Sequence, residues 1–131
     1  MPLVNLYRKP QFITDAVVMI LAAELREKVA ELLSDGTLEH QLTRDEVEVR
    51  VTDGHPLDDN TCDIEIGISA KFSEGRKASH RRIVIELAEM ARKIVPPMVG
   101  DSLRLVDTWI ELDLGDKAGR KIWSKENLPP N

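Results

Sequence analysis

Ile64-Glu65-Ile66-Gly67-Ile68-Ser69-Ala70-Lys71-Phe72-Ser73-Glu74-Gly75-Arg76 is the stretch whose reading decides the fold. Ile64, Ile66, Ile68 and Ala70 alternate with Glu65, Gly67, Ser69 and Lys71, the period-two signature of a strand with one buried face. Past Arg76 the period changes. From Ser79 to Val95 the residues Ile83, Val84, Leu87, Ala91, Ile94 and Val95 recur at helical spacing, and Pro96-Pro97 closes the helix. Leu103 to Leu112 then reads as a strand whose apolar parity shifts between Leu105 and Val106, which predicts a bulge near Asp107 or burial on both faces. This half of the chain is β-α-β.

The upstream half repeats the order. Met1 to Arg8 carries Leu3, Val4, Leu6 and Tyr7 before Lys9-Pro10 ends it, which predicts a short, largely buried strand. Thr14 suits the N-cap of a helix reaching Leu33, with Val18, Leu21, Leu25, Val29 and Leu32 on one stripe and Glu24, Glu27, Lys28 and Glu31 elsewhere. Ser34-Asp35-Gly36 stops it, Gly36 being suited to a left-handed C-cap. Val47, Val49 and Val51 alternate with Glu48, Arg50 and Thr52 as a strand that Asp53-Gly54-His55-Pro56 ends.

The order β-α-β-β-α-β reads as one unit used twice at an offset of about 64 residues, with Pro2 falling on Ile66 and Phe12 on Arg76. The units are residues 1–58 and 59–123 of a single domain spanning 1–131. Gly115-Asp116-Lys117-Ala118-Gly119 reads as a turn that returns Lys121-Ile122-Trp123 as a short edge strand, and 124–131 as a loose tail. Each unit predicts a right-handed crossover between parallel strands, hence an α/β (α+β) domain with a four-stranded sheet and two helices on one face. The other face is then left without a cover of its own, so a ring of copies joined through it is the expectation.

Composition narrows the function classes. A chain of 131 residues with 42% hydrophobic and 31% charged residues has the make-up of one folded globular domain. The longest apolar run, Ala16 to Ala23, falls short of the ~20 residues that cross a bilayer, and the amino terminus lacks the order of a signal peptide. A cytoplasmic protein without membrane contact is expected. The formal charge of −5 argues against a nucleic-acid partner. Arg76-Lys77-Ala78-Ser79-His80-Arg81-Arg82 is a local basic run, better suited to a small anion than to a duplex. Cys62 is the single cysteine, and neither a zinc spacing nor a nucleophile-histidine-acid set is present, so no metal or other cofactor is expected.

Two features give the chain a resemblance to a family: the opening Met1-Pro2 running straight into a strand, and the strand, Glu74-Gly75-Arg76, helix junction. The junction resembles that of the 4-oxalocrotonate tautomerases. The two-unit length resembles the fused members of the tautomerase superfamily, such as carboxymethyl-hydroxymuconate isomerase and macrophage migration inhibitory factor. The resemblance implies a cofactor-independent isomerase in which Pro2, freed at the mature amino terminus, is a general base. Burial or nearby cations would disfavour its ammonium form, and it would move a proton on a small keto or enol carboxylate. By match, Arg76 is the first candidate for the substrate carboxylate, Arg104 follows from the second-unit strand, and Arg50 from the first unit. Family members form trimers of two-unit chains, so a homotrimer is implied. The sequence departs from the pattern at Phe12, which stands where an arginine is expected, and at Ile66, which stands where a proline is expected. The family's phenylalanine has no counterpart, which leaves Trp109 and Trp123 as candidates for the apolar wall.

Two other readings stay open. One is a binding or assembly module, either of ferredoxin-like strand order or a relative of the tautomerases without catalysis. The other is a decarboxylase or hydratase on the same proline site.

Overall fold

The computed structural model describes residues 2–34, 41–58, 62–99, 104–115 and 121–128. β1 (Leu3–Arg8) buries Val4 and Leu6 with Arg8 behind them, so every second residue faces the core. α1 (Asp15–Leu33) starts at Thr14, whose Oγ1 accepts a hydrogen bond from Val17 N at 3.4 Å, and it buries Val18, Leu21, Leu25, Val29, Leu32 and Leu33. After a short 3₁₀ turn (Arg44–Glu46) come β2 (Glu48–Asp53) and β3 (Ile64–Ala70). The second crossover holds α2 (Glu74–Ala78) and α3 (His80–Ile94), and α3 buries Ile83, Val84, Leu87, Ala88 and Ala91. A two-residue ladder joins β4 (Met98–Val99) to β5 (Arg104–Leu105), and β6 (Thr108–Gly115) and β7 (Lys121–Leu128) complete the fold.

The sheet runs β2-β1-β3-β6-β7. β1 is parallel to β2, and β3 is parallel to β6, so each half closes a complete crossover. β1 and β3 meet antiparallel, with Leu3 opposite Ser69 and Arg8 opposite Ile64. One sheet face carries Val4, Leu6, Ile64, Ile66, Ile68, Ile110, Leu112 and Leu114, all at most 1% exposed, and these join the buried faces of α1 and α3 in one core. α1 and α3 also lie against each other. The parallel pairs rule out the ferredoxin-like alternative, whose crossover-linked strands do not pair with each other.

The four-stranded sheet with two helices expected from the sequence is corrected: the described residues form a five-stranded mixed sheet with three α-helices. The fifth strand is β7, eight residues pairing antiparallel with β6 from Thr108 opposite Leu128 to Gly115 opposite Lys121. It takes in Ser124 to Leu128, read above as a loose tail. Those residues show no apolar alternation, because an edge strand is held by its ladder to one neighbour, and here also by contact with α3. The third helix, α2, has five residues, too few for a 3.6-residue period to show. Its start is fixed instead by Ser73, whose Oγ accepts from Arg76 N at 3.1 Å. The strand expected over Leu103 to Leu112 is two strands, β5 and β6. The break falls at Val106 and Asp107, where Val106 N donates to Pro97 O at 2.9 Å and Asp107 N to the Asp63 carboxylate at 2.8 Å. Gly36 and the turn from Asp116 to Gly119 lie outside the described residues.

The opposite sheet face is polar around Gly67, with Leu3 and Trp109 farther out on it. Asn5, Tyr7, Glu65, Ser69, Glu111 and Asp113 surround Gly67 there. A polar face does not require the apolar cover that was expected of it.

Candidate functional site

Pro2 is buried at the entry to β1, and its carbonyl accepts from Glu48 N at 3.0 Å. While Met1 precedes it, its nitrogen is a tertiary amide with no hydrogen to donate. Continuing the β1–β3 register by one residue puts Pro2 beside Ala70, so the β3–α2 junction is its neighbour.

Arg76 belongs to that junction and is 4% exposed. Its Nε donates to Leu33 O at 2.8 Å and its Nη1 to Lys71 O at 2.7 Å. Leu33 is the last residue of α1, where helix carbonyls lack intrahelical partners and a cation is favoured. Strand spacing and rise put this guanidinium within roughly 10 Å of Pro2. The structure therefore brings Pro2 and Arg76 to one end of the sheet, with the arginine fork engaged by main-chain oxygens.

The other candidates are elsewhere. The backbone of Arg104 lies in β5, just before Thr108, which pairs with Ile64 opposite Arg8. β5 belongs to the separate β4–β5 ladder, and the Thr108 end that it leads into is roughly 20 Å along the strands from Pro2. Trp109 is also at that end, on the polar face, where its Nε1 donates to Glu111 Oε1 at 2.8 Å and the Lys125 ammonium sits 4.8 Å from the ring centroid. Arg50 is opposite Asn5 on β2 and donates from Nε to Glu48 Oε1 at 2.9 Å, with its side chain 62% exposed. The Trp123 side chain lies outside the described residues.

Two features went unnoticed in the sequence. The first is a cleft of about 310 Å³ around Gly67 on the polar face, lined among others by Asn5, Tyr7, Glu65, Glu111 and Asp113. Its three carboxylates would repel a carboxylate substrate. At its edge Tyr7 Oη donates to Asp58 Oδ2 at 3.1 Å, and burial followed by that bond raises the phenol above its usual pKa, keeping it a donor. The sequence signal was the polar residue at every second position of otherwise apolar strands. The second feature is Arg8, 9% exposed, whose Nη1 donates to Ile13 O at 3.1 Å while Nε and Nη2 engage Asp53 and Asp15 at 2.7 and 2.6 Å. Its signal was a cation at the core-facing parity of β1.

Among the described residues, no group of three or more His, Cys, Asp or Glu converges to hold a metal ion, and no helix is long and apolar enough to cross a membrane. No family model matches the chain, and no curated protein is similar to it.

Proposed function

We propose that this chain is a cofactor-independent tautomerase that moves a proton on a small keto or enol carboxylate, with Pro2 as the base once Met1 is removed. The observation that carries the reading is the antiparallel β1–β3 register, which sets a buried Pro2 beside the junction holding a buried guanidinium. Burial and a fixed positive charge both disfavour the ammonium form of an amine, as a base at neutral pH requires. Arg104 and Trp109 would have to reach Pro2 from a neighbouring copy, which fits a homotrimer joined through the edge strands β2 and β7 better than through the polar face. The place of work is the cytoplasm, in keeping with a single cysteine.

The fork of Arg76 on two carbonyls favours a second reading, a tautomerase-like binding or assembly module without catalysis. One experiment separates them: intact mass of protein from its own cell, then turnover of phenylenolpyruvate by chains with and without Met1. Removal of Met1 in the cell together with faster turnover by the processed chain is the expected result. Retention of Met1, or equal rates, would discard the proline mechanism in favour of the second reading.

A further inference from the structure

We propose that Arg76 is a positioning residue that pins the C-terminal end of α1 to the entry of the second crossover and so holds the walls beside Pro2, and that it does not grip the substrate carboxylate. The catalytic half of this inference rests on the tautomerase reading; the structural half does not. Three hydrogen bonds carry it. Ser73 Oγ receives Arg76 N at 3.1 Å and fixes the first turn of α2, and the guanidinium then reaches back across the core to Leu33 O at 2.8 Å and to Lys71 O at 2.7 Å. Leu33 ends α1 and Lys71 is the first residue past β3, and a planar fork that serves both fixes the spacing of these two element ends. The exit of α1 is tied further by Ser34, whose Oγ donates to Ala30 O at 2.7 Å and receives Leu42 N at 3.0 Å.

A clamp would need the same fork. Two of the five N–H donors of Arg76 already hold main-chain carbonyls, and a carboxylate that drew on either of them would leave that carbonyl unpaired, which offsets what the new ion pair gains. A side chain 4% exposed is also poorly placed to meet a ligand without local opening. Lysine cannot replace it, because a single ammonium presents no rigid fork to two oxygens on separate segments.

The test compares Arg76→Lys and Arg76→Met with wild type, all lacking Met1, on phenylenolpyruvate and its methyl ester, well below each melting temperature. A positioning role predicts kcat down about tenfold or more in both variants for both compounds, with KM and the acid-to-ester preference changed less than about twofold. Collapse of the acid-to-ester preference by about tenfold, with ester turnover intact, would make Arg76 a clamp and overturn the proposal. Should processed wild type turn over neither compound, the tautomerase reading fails by itself, and amide exchange decides the structural half. Exchange at Leu42, whose amide donates to Ser34 Oγ, and at Lys77, whose amide donates to Ser73 O, should quicken about tenfold or more in Arg76→Lys while Val4 and Leu6 in β1 stay protected. Unchanged exchange at Leu42 and Lys77 sinks the inference whatever the kinetics. If Arg76→Met does not fold, Arg76→Lys carries both arms.

Discussion

Replacing Arg8 by methionine keeps the aliphatic stem and removes the guanidinium from the end of β1, and the structure says what that costs. The bond from Nη1 to Ile13 O, 3.1 Å long and buried, joins β1 to the approach of α1; a charged hydrogen bond of this kind contributes about 1.5–3 kcal/mol. The carboxylates of Asp53 and Asp15 are 54% and 85% exposed, so water takes over when their partner leaves, and these pairs add little. At about 3 °C per kcal/mol for a domain of this size, the melting temperature should fall by about 5–10 °C at pH 7. The pH dependence has a definite sign. The hydrogen bond from Arg8 holds the Asp53 carboxyl below its usual pKa, so that pair stabilises the fold above about pH 4 and is lost as pH falls through the lowered value. Melting curves by circular dichroism at pH 7, 4 and 3 should therefore show the gap between wild type and variant narrowing on acidification. It should not close, because Ile13 O does not titrate. A gap under about 2 °C at pH 7, or one that widens in acid, would refute the reasoning.

Two further perturbations test the packing. A Cβ at Gly54 would run into Tyr7 Oη and stand 2.6 Å from its Cζ, so Gly54→Ala should force the ring off Asp58 and cost about 1–3 kcal/mol. Adding Tyr7→Ala should remove the clash and bring most of that loss back, which urea titration of single and double variants would show; an unaffected single variant would mean that the loop yields freely. Leu87, fully buried in α3 between α1 and the sheet, should cost about 2–5 kcal/mol on change to alanine, read as a lower urea midpoint at unchanged slope.

The crossovers were legible because their signals are strong and local. α1, β3 and α3 each carry at least three apolar residues at one period and β1 and β2 carry two, and the burial of Val4, Leu6, Ile64, Ile66 and Ile68 follows that period residue by residue. Where a neighbour supplies the stability, the sequence is quiet. β7 rests on the β6 ladder, α2 on a serine cap and a buried arginine, and the break before β6 on the Asp63 carboxylate that receives Asp107 N. None of these leaves a period to read. The polar face shows the same limit: Asn5, Gly67 and Glu111 are ordinary alternating residues until the register lines them across three strands around a position without a side chain.

The sequence puts Pro2 and Arg76 in one candidate site, but the carbonyl partners of the guanidinium leave no trace in it. Pro2 and Arg76 do share one end of the sheet, since antiparallel β1 and β3 set the start of one beside the end of the other, whereas Arg104 and Trp109 follow the start of β6 to the opposite end. Residue type cannot say what a guanidinium faces. The repeat makes the point, because its 64-residue offset matches Arg76 with Phe12, yet the residue that does comparable work in the first unit is Arg8. Arg8 reaches Ile13 O at the start of one crossover, and Arg76 reaches Lys71 O at the start of the other. Each unit thus buries one arginine on the carbonyls of its strand-to-helix link, from different positions of the repeat: from the strand end in the first, from inside the helix in the second. What the two units share is a strand-to-helix turn whose carbonyls, buried at Ile13 and part-buried at Lys71, are paired by an arginine, and a long forked side chain can meet that need from either side of the turn. An alignment of the halves therefore loses this correspondence, and a comparison of their hydrogen bonds recovers it.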